Sequence, residues 1–247
     1  MKHHLFNDSS VGLNFVAIGG GNGLSTLLSG LKRFVNAGAS EPVWLQNLSA
    51  IVAVTDDGGS SGRLRDELQM LPPGDIRNCM VALSEDSQLL SNLFKHRFSG
   101  DGDLGGHSFG NIFLAAMTEL TGDFAEAVKL SSEILASKGH IYPATVSDVR
   151  LAARLVDGGI VSGETNISKT GARIERLYLE PADCKPMPDA LKAIETEGPR
   201  LREVAAKLGE TERRFNQGVD QVNKAFTEFE LIMKSEDRTK IAAGASI

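Results

Sequence analysis

The segment from Phe15 to Arg33 reads FVAIGGGNGLSTLLSGLKR and decides the fold class. Asn14 to Gly19 is a short apolar run typical of a buried strand, and the leucines between Gly23 and Phe34 recur at helical spacing. A β-branched run from Leu48 to Val54 then indicates a second buried strand. This order of strand, helix and strand predicts a parallel β-α-β unit with a right-handed crossover, and hence an α/β protein.

The glycine-rich turn inside that unit predicts an anion site. Glycines let backbone N–H groups approach an anion closely, and the following helix adds the positive end of its dipole. The predicted phosphate cradle is Gly20, Gly21, Asn22 and Gly23. Neither standard nucleotide motif is present, because Leu24 stands where the P-loop spacing from Gly19 and the GxGxxG spacing from Gly21 each require glycine. The alternative is that these glycines only turn the chain and pack helix against strand.

A second polar segment, VTDDGGSSGRLRDEL, follows the second strand. Asp56 and Asp57 stand at the carboxyl end of that strand, where open α/β sheets bind ligands, and could hold Mg²⁺ or a ligand hydroxyl. GGSSG is interpreted as a flexible, hydroxyl-rich loop, and Arg63 and Arg65 could neutralise phosphate. The alternative is a turn and helix cap, with Arg65 and its acidic neighbours forming a solvated face.

Two further polar segments each precede an apolar helix. In PGDIRNC, Asp75 is either a helix cap or a ligand contact, with Arg77 and Asn78 at the start of the helix. In LGGHSFGN, Ser108 is a natural N-cap, and His107 could bond a phosphate or act as an acid or base. A structural role for that histidine is the alternative. Asn111, one turn along, shares the same face.

The remaining periodicity predicts several helices and then a small antiparallel region. The predicted helices are Gly74 to Leu83, Ser87 to Arg97, Ser108 to Leu120 and Asp123 to Ala136. Val149 to Val156 and Ile160 to Gly163, joined by Asp-Gly-Gly, are predicted to form a β-hairpin. Arg173 to Leu179 alternates as another strand, and the three prolines between 181 and 188 predict a loop.

Composition excludes several classes of function. A formal net charge of −6 over 247 residues argues against a nucleic-acid or anionic-membrane surface, which needs clustered Lys and Arg. The two cysteines, Cys79 and Cys184, indicate neither a disulfide framework nor a cysteine metal site. The first ten residues lack the apolar core of a signal peptide, and no apolar run approaches the ~20 residues that span a bilayer. We therefore expect a cytoplasmic protein that does not insert into membranes.

Six segments together carry a family resemblance. In order they are GGGNGLSTLLSGLK, VTDDGGSSGRLRDEL, PPGDIRNCMVAL, LGGHSFGNIFLAAM, YPAT and LEPADCKPMPDALKAI. They resemble the YvcK family of gluconeogenesis factors, within the CofD superfamily of 2-phospho-L-lactate transferases. The resemblance implies a Rossmann-like parallel sheet flanked by helices, in a domain of residues 1–194. It associates the YvcK branch with UDP-N-acetylglucosamine binding, cell shape and carbon or cell-wall metabolism. It associates the CofD branch with Mg²⁺-dependent phospholactyl transfer from a guanosine diphosphate donor to a deazaflavin alcohol.

One departure from the CofD pattern favours the regulatory branch. Transferases of the superfamily carry a PDLDT-like segment where this chain has Pro73 to Asn78, and Arg77 stands in the place of the second acid. A base there disfavours metal binding or deprotonation of an acceptor and favours a ligand phosphate. We therefore expect nucleotide-sugar binding without turnover and with no required cofactor. The expected ligand-binding residues are Gly20, Gly21, Asn22, Gly23, Asp56, Asp57, Gly58, Gly59, Arg63, Asp75, Arg77, Asn78, His107, Ser108 and Asn111. For a transferase, Asp57 and Asp75 would be the catalytic residues and Asp57 the ligand of Mg²⁺.

The second departure concerns residues 195–247. The family continues into a second glycine loop and a PNLLV segment that do not occur here, and this tail matches no family motif. Its apolar residues follow a three-four spacing, which indicates a divergent helical tail. An amphipathic helix pair covering the sheet is favoured over self-association, and a homo-oligomer or a protein partner stays open. A third hypothesis is a truncated interaction module that binds no ligand.

Overall fold

The computed structural model describes residues 13–36, 45–85 and 88–196 of the chain. The strands are β1 (Leu13–Gly19), β2 (Leu45–Val52), β3 (His140–Pro143), β4 (Arg150–Leu155), β5 (Ile160–Ser162) and β6 (Ile174–Glu180). The α-helices are α1 (Gly21–Leu31), α2 (Gly59–Leu68), α3 (Gly74–Leu83), α4 (Gln88–Lys95), α5 (Phe109–Thr121), α6 (Phe124–Ile134) and α7 (Glu164–Lys169). A short 3-10 helix, Lys32–Phe34, extends α1, and a further helix runs over residues 188–196.

The predicted β-α-β unit forms one side of a three-stranded parallel sheet in the order β1-β2-β3. β1 pairs with β2 from Leu13 opposite Leu45 to Gly19 opposite Val52. The sequence pattern missed β3, because a four-residue segment ending in proline carries too little periodicity to indicate a strand. Its pairing with β2, from Ser49 opposite His140 to Val52 opposite Pro143, defines it. The fold is therefore α/β and Rossmann-like, as predicted.

Helices α1 to α6 each contribute buried residues to the core cluster around this sheet. Leu24 and Leu28 are the buried residues of α1, and Leu28 belongs to the same core cluster as Leu48 and Val52 of β2. The five predicted helices are confirmed, with ends within three residues of the prediction wherever the ends lie in described segments, and α3 begins and ends where predicted. In α5 and α4, the rings of Phe94, Phe109 and Phe113 pack together at centroid separations of 5.1 to 6.2 Å. Long segments with helical periodicity are thus predicted correctly from the sequence.

The predicted loop over GGSSG is wrong, because these residues begin α2. Glycine disfavours a helix by about 1 kcal/mol relative to alanine, so the sequence suggested a loop. A Cβ atom at Gly62 would lie 2.2 Å from the carbonyl oxygen of Asp57, so only glycine lets the helix approach the preceding chain this closely. Arg65 is not on a solvated face; it is 3% exposed, pairs with Asp148 and donates to the carbonyl of Val149 over 2.7 Å. Tertiary packing therefore overrides the local preference.

The predicted hairpin is confirmed as part of a separate antiparallel sheet in the order β5-β4-β6. β4 pairs with β5 from Ala152 opposite Ser162 and with β6 from Arg150 opposite Glu180. Gly158 takes a φ of +88° in the connecting turn, as the Asp-Gly-Gly turn requires. The short helix α7 follows β5 and was not predicted.

The predicted tail lies almost entirely outside the described residues. The helix over residues 188–196 begins at the end of the predicted proline loop and crosses the predicted domain boundary at residue 194. The boundary and the helical character of the tail therefore stay predictions. Within the three described segments, none of the helices combines the length and the apolar composition that crossing a membrane requires.

Candidate functional site

A cleft of about 570 Å³ opens where the turns after β1 and β2 meet the first turns of α2 and α3. Parallel strands bring their carboxyl ends to one edge of the sheet, which explains why turns distant in sequence meet there. The cleft is lined by Gly21, Asn22, Asp56, Gly58, Gly59, Ser60, Ser61, Gly74, Asp75, Arg77, Asn78, Arg97 and Asn111. All four polar segments singled out in the sequence thus contribute residues to one site.

The glycine turn after β1 is already bound to a carboxylate. Gly21 has a φ of +61°, which favours glycine, and its N–H donates to Asp75. A Cβ atom at Gly20 would lie 2.8 Å from Oδ2 of Asp75, so the absence of a side chain makes room for that carboxylate. Asp75 therefore holds one of the backbone amides that the sequence assigned to a phosphate.

The carboxylates that line the cleft are those of Asp56 and Asp75. Oδ1 of Asp56 accepts from the N–H of Gly58 over 2.9 Å. Burial raises the pKa of Asp75, and the charge of Asp56 raises it further, against the opposing bond from Gly21. Burial also raises the pKa of Glu164, and Asp56 and Asp75 add to that shift. The charged forms of Asp75 and Glu164 are thus disfavoured, so a cation or a ligand hydroxyl beside these carboxylates would be stabilising.

The guanidinium groups that line the cleft are those of Arg77 and Arg97. Arg77 is 9% exposed and donates to Oγ of Ser108 over 2.5 Å and to Oδ1 of Asn78 over 2.6 Å. Its Nε is buried without a hydrogen-bond partner. Burial lowers the pKa of Arg77, and the positive charge of Arg97 lowers it further. The charges of Asp75 and Asp56 oppose this shift, but neither arginine forms an ion pair within the described segments, so an anion between them would be stabilised.

A buried polar network joins Ser60 and Asn111, which line the cleft, to His107. Oγ of Ser60 lies 2.9 Å from Nδ1 of His107 and accepts from Nδ2 of Asn111 over 3.0 Å. Because Asn111 donates to it, Ser60 can donate its own hydrogen to a neutral His107. Burial lowers the pKa of His107, and the charge of Arg63 adds to this shift, so the neutral form is favoured. Oδ1 of Asn111 is buried and has no hydrogen-bond partner in the described part of the chain.

Several predicted site residues contact other parts of the chain. Oδ1 of Asp57 accepts from the N–H and the hydroxyl of Thr165, over 2.9 and 2.7 Å, at the start of α7. These bonds lower the pKa of Asp57, outweighing burial, which alone would raise it. Arg63 donates to the carbonyl of Gly105 over 2.6 Å, and Ser108 caps α5 by accepting from the N–H of Asn111. Like Gly20, Gly23 and His107, these three residues do not line the cleft as described.

The described carboxylates of the cleft are too few to hold a metal ion without a ligand. Among the described residues, no group of three or more His, Cys, Asp or Glu side chains is placed to hold a metal ion. The two carboxylates that line the cleft are Asp56 and Asp75, whereas Asp57 bonds Thr165. Mg²⁺ is commonly held by one or two carboxylates together with substrate phosphates, so the first two residues fit that ion when a phosphate ligand is bound.

Arg97 was missed by the sequence analysis. It follows α4 in a segment without a motif, and an antiparallel bridge to Ser108 brings it beside the cleft. Its Nη1 donates to the carbonyl of Gly106 over 2.5 Å, while Arg63 contacts the neighbouring Gly105. Only the folded backbone distinguishes these two arginines, because both contact the same loop but only Arg97 lines the cleft.

Comparison with known proteins identifies the family. The family model described as 2-phospho-L-lactate transferase CofD matches residues 15–197. The chain belongs to the CofD family. The CofD-family chain is also 50% identical over 181 residues to the gluconeogenesis factor of Halalkalibacterium halodurans and 49% identical over 176 residues to that of Bacillus subtilis. The predicted resemblance to YvcK-type gluconeogenesis factors is thus confirmed.

A crystal structure of a related protein supports the α/β fold. This protein, from Bacillus halodurans, superposes with a TM-score of 0.66 at 48% identity, covering 73% of this chain and 55% of the other. The matches to the two gluconeogenesis factors cover 73% and 71% of this chain and 53% and 52% of theirs. The CofD-family chain therefore spans about half the length of the curated relatives it matches.

Proposed function

We propose that this chain forms one side of a cleft that binds a nucleotide sugar, similar to UDP-N-acetylglucosamine, without turning it over. The observation that carries the proposal is the pairing of Arg77 with Arg97 in the cleft. Neither arginine forms an ion pair among the described residues, although the charges of Asp75 and Asp56 act on Arg77, and the buried Nε of Arg77 lacks an acceptor. A diphosphate supplies both the charge and the acceptor oxygens.

The biological setting is proposed from the relatives. Two of them are named gluconeogenesis factors, which supports a regulatory role in gluconeogenic growth. Links to cell shape and cell-wall metabolism, and a cytoplasmic location, belong to the same proposal, because the precursor sugars of the wall are nucleotide-linked. Ligand binding would then be sensed through a homo-oligomer or a regulatory protein partner.

Titration calorimetry with UDP-N-acetylglucosamine tests the binding site directly. The variant Arg97→Gln removes a positive charge from the cleft, and we expect the Kd to rise about 10-fold, as for the loss of one charge-assisted hydrogen bond. Arg63→Gln is the matched control, since Arg63 contacts the same loop through Gly105 but does not line the cleft. It should bind within about 2-fold of the unaltered protein, a factor well below one broken hydrogen bond.

Two results would overturn this assignment. If a chain that unfolds cooperatively gave no heat of binding when titrated with UDP-N-acetylglucosamine, with and without Mg²⁺, nucleotide-sugar binding would be excluded. Equal loss of affinity in Arg97→Gln and Arg63→Gln would show that the loop, and not the charge beside the cleft, matters for binding.

Transfer of a phosphate-linked group is the second candidate function. It is favoured by the carboxylates of Asp56 and Asp75, which line the same cleft as the arginines. With Mg²⁺ bound, the ion would neutralise phosphate oxygens during transfer, and these two residues would hold it. An assay with a guanosine diphosphate-linked phospholactyl donor, a deazaflavin alcohol and Mg²⁺ decides the matter. Product that disappears in Asp75→Asn supports transfer, and absence of product from a protein that binds the nucleotide sugar excludes it.

A further inference from the structure

A second, strongly polar groove adjoins the cleft. It has a volume of about 510 Å³ and lies between α1, α3 and α4. Asn22 and Asn78 line both the groove and the cleft, so the two form a continuous surface. Oδ1 of Asn78 accepts from Arg77, which places the groove next to the arginines of the cleft.

The α1 side of the groove offers hydrogen-bond acceptors. The hydroxyl of Ser25 donates to the carbonyl of Asn22 over 3.1 Å, that of Thr26 donates to the same carbonyl over 2.7 Å, and that of Ser29 donates to the carbonyl of Ser25 over 3.0 Å. Each hydroxyl has a single hydrogen, so these bonds leave only oxygen lone pairs facing the groove. A row of acceptors suits a ligand that donates hydrogen bonds.

The other side of the groove offers donors. Because the amide oxygen of Asn78 is used by Arg77, its NH₂ group remains for a ligand. Asn92 and Lys95 of α4 line the opposite side. Among the described lining residues there is neither a carboxylate nor an aromatic ring, so a cationic group would lack a counter-charge and a nucleobase would lack a stacking surface.

We propose that this groove is the subsite for the sugar of the ligand whose phosphates lie beside Arg77 and Arg97. The inference rests on the proposed nucleotide-sugar function and adds the place and chemistry of the sugar. A sugar hydroxyl both donates and accepts, which matches hydroxyl oxygens on one side and amide groups on the other. A sugar linked to the phosphates reaches the groove by passing over Asn78.

Calorimetry with UDP and with UDP-N-acetylglucosamine separates the two parts of the site. Ser25→Leu fills the groove with apolar bulk, and we expect its Kd for UDP-N-acetylglucosamine to rise about 10-fold, while its Kd for UDP changes less than about 2-fold. Gly30→Leu adds the same side chain to the same helix outside the groove, where a Cβ atom meets nothing within 4 Å, and should bind both ligands normally. Asn92→Leu, at an exposed position of α4, repeats the test should Ser25→Leu fail to fold.

The outcomes distinguish this inference from the function on which it rests. Sugar-nucleotide binding that is unchanged in both groove variants would overturn the sugar subsite and leave the proposed function standing. An equal loss of affinity for UDP and the sugar nucleotide would also overturn it, because the groove would then contact the nucleotide. Absence of binding of either ligand by the unaltered protein would overturn both proposals.

Discussion

At the scale of single residues, Asp75 and Arg77 give the cleft charges of both signs. They stand two positions apart in the first turn of α3, yet the carboxylate meets the N–H of Gly21 and the guanidinium meets Ser108. The sequence identified both as candidates but could not assign partners, because Gly21 and Ser108 lie 54 and 31 residues away along the chain. Side chains with such distant partners acquire their chemistry only in the folded state.

The buried carboxylate predicts a specific pH dependence for Asp75→Asn. The pKa of Asp75 is raised above 3.8 in the folded state, so the stability linked to its proton is fully present below that value and is lost as the pH rises through the folded pKa. The free energy of unfolding of the variant, minus that of the unaltered protein, should therefore increase with pH in this window. The slope is at most about 1.4 kcal/mol per pH unit.

Urea unfolding at a series of pH values measures this difference. Asn78→Ala is the control, since it alters the same helix and the same cleft without removing a titrating group, and its difference should not vary with pH. A difference for Asp75→Asn that falls or stays level above pH 3.8 would contradict a raised pKa.

At the scale of elements, glycines determine how closely the helices approach one another. A Cβ atom at Gly74 of α3 would lie 2.3 Å from Oγ of Ser61 in α2. One at Gly110 of α5 would lie 2.8 Å from Cγ and Cδ of Arg77 and 2.8 Å from the carbonyl oxygen of Phe94. These positions allow α2, α3 and α5 to converge on the cleft, and Gly110 lets the side chain of Arg77 pass to Ser108.

Two glycine-to-alanine variants should therefore change stability in opposite directions. Gly110→Ala crowds Arg77 and the backbone at Phe94, and we expect it to destabilise the fold by about 1–3 kcal/mol. Gly30→Ala lies in α1, where a Cβ atom meets nothing within 4 Å, and should stabilise by about 0.5–1 kcal/mol through helix propensity. The midpoint of urea unfolding reports both, and equal shifts of the same sign would refute the packing argument.

At the scale of the whole molecule, the cleft collects residues from Gly21 to Asn111. A ligand held by all of these segments binds the folded state and not the unfolded chain, so it stabilises the fold by linkage. The net charge of −6 works against anions in general, whereas the paired arginines attract one locally. Ligand-induced stabilisation thus reports whether the distant segments form a single site.

Thermal unfolding with UDP-N-acetylglucosamine tests this assembly. At a ligand concentration of 100 times Kd the stabilisation is about 2.7 kcal/mol. For a chain of this size that corresponds to an increase in Tm of about 5–10 °C. N-acetylglucosamine without phosphate is the control and should leave Tm unchanged, since it lacks the groups that the arginines bind. Equal shifts with both compounds would contradict a phosphate-based site.

The sequence by itself determined the fold class, the long helices, the hairpin and the four polar segments of the cleft. Periodicity and turn chemistry are local properties, so they can be read without knowing which elements pack together. The same locality explains the errors. β3 is defined by its pairing with β2, and α2 begins with glycines, one of which, Gly62, lies too close to the carbonyl of Asp57 for a side chain.

Only the tertiary structure decided which of these polar residues face the cleft. It placed Arg97 beside Arg77 and bonded Asp57 to Thr165. It also brought Asp75 to the glycine turn that the sequence predicts as a phosphate site. The physical reason is that electrostatic and hydrogen-bond partners are chosen by distance in space. Residues far apart in the chain come within that distance only when the helices and the sheet pack.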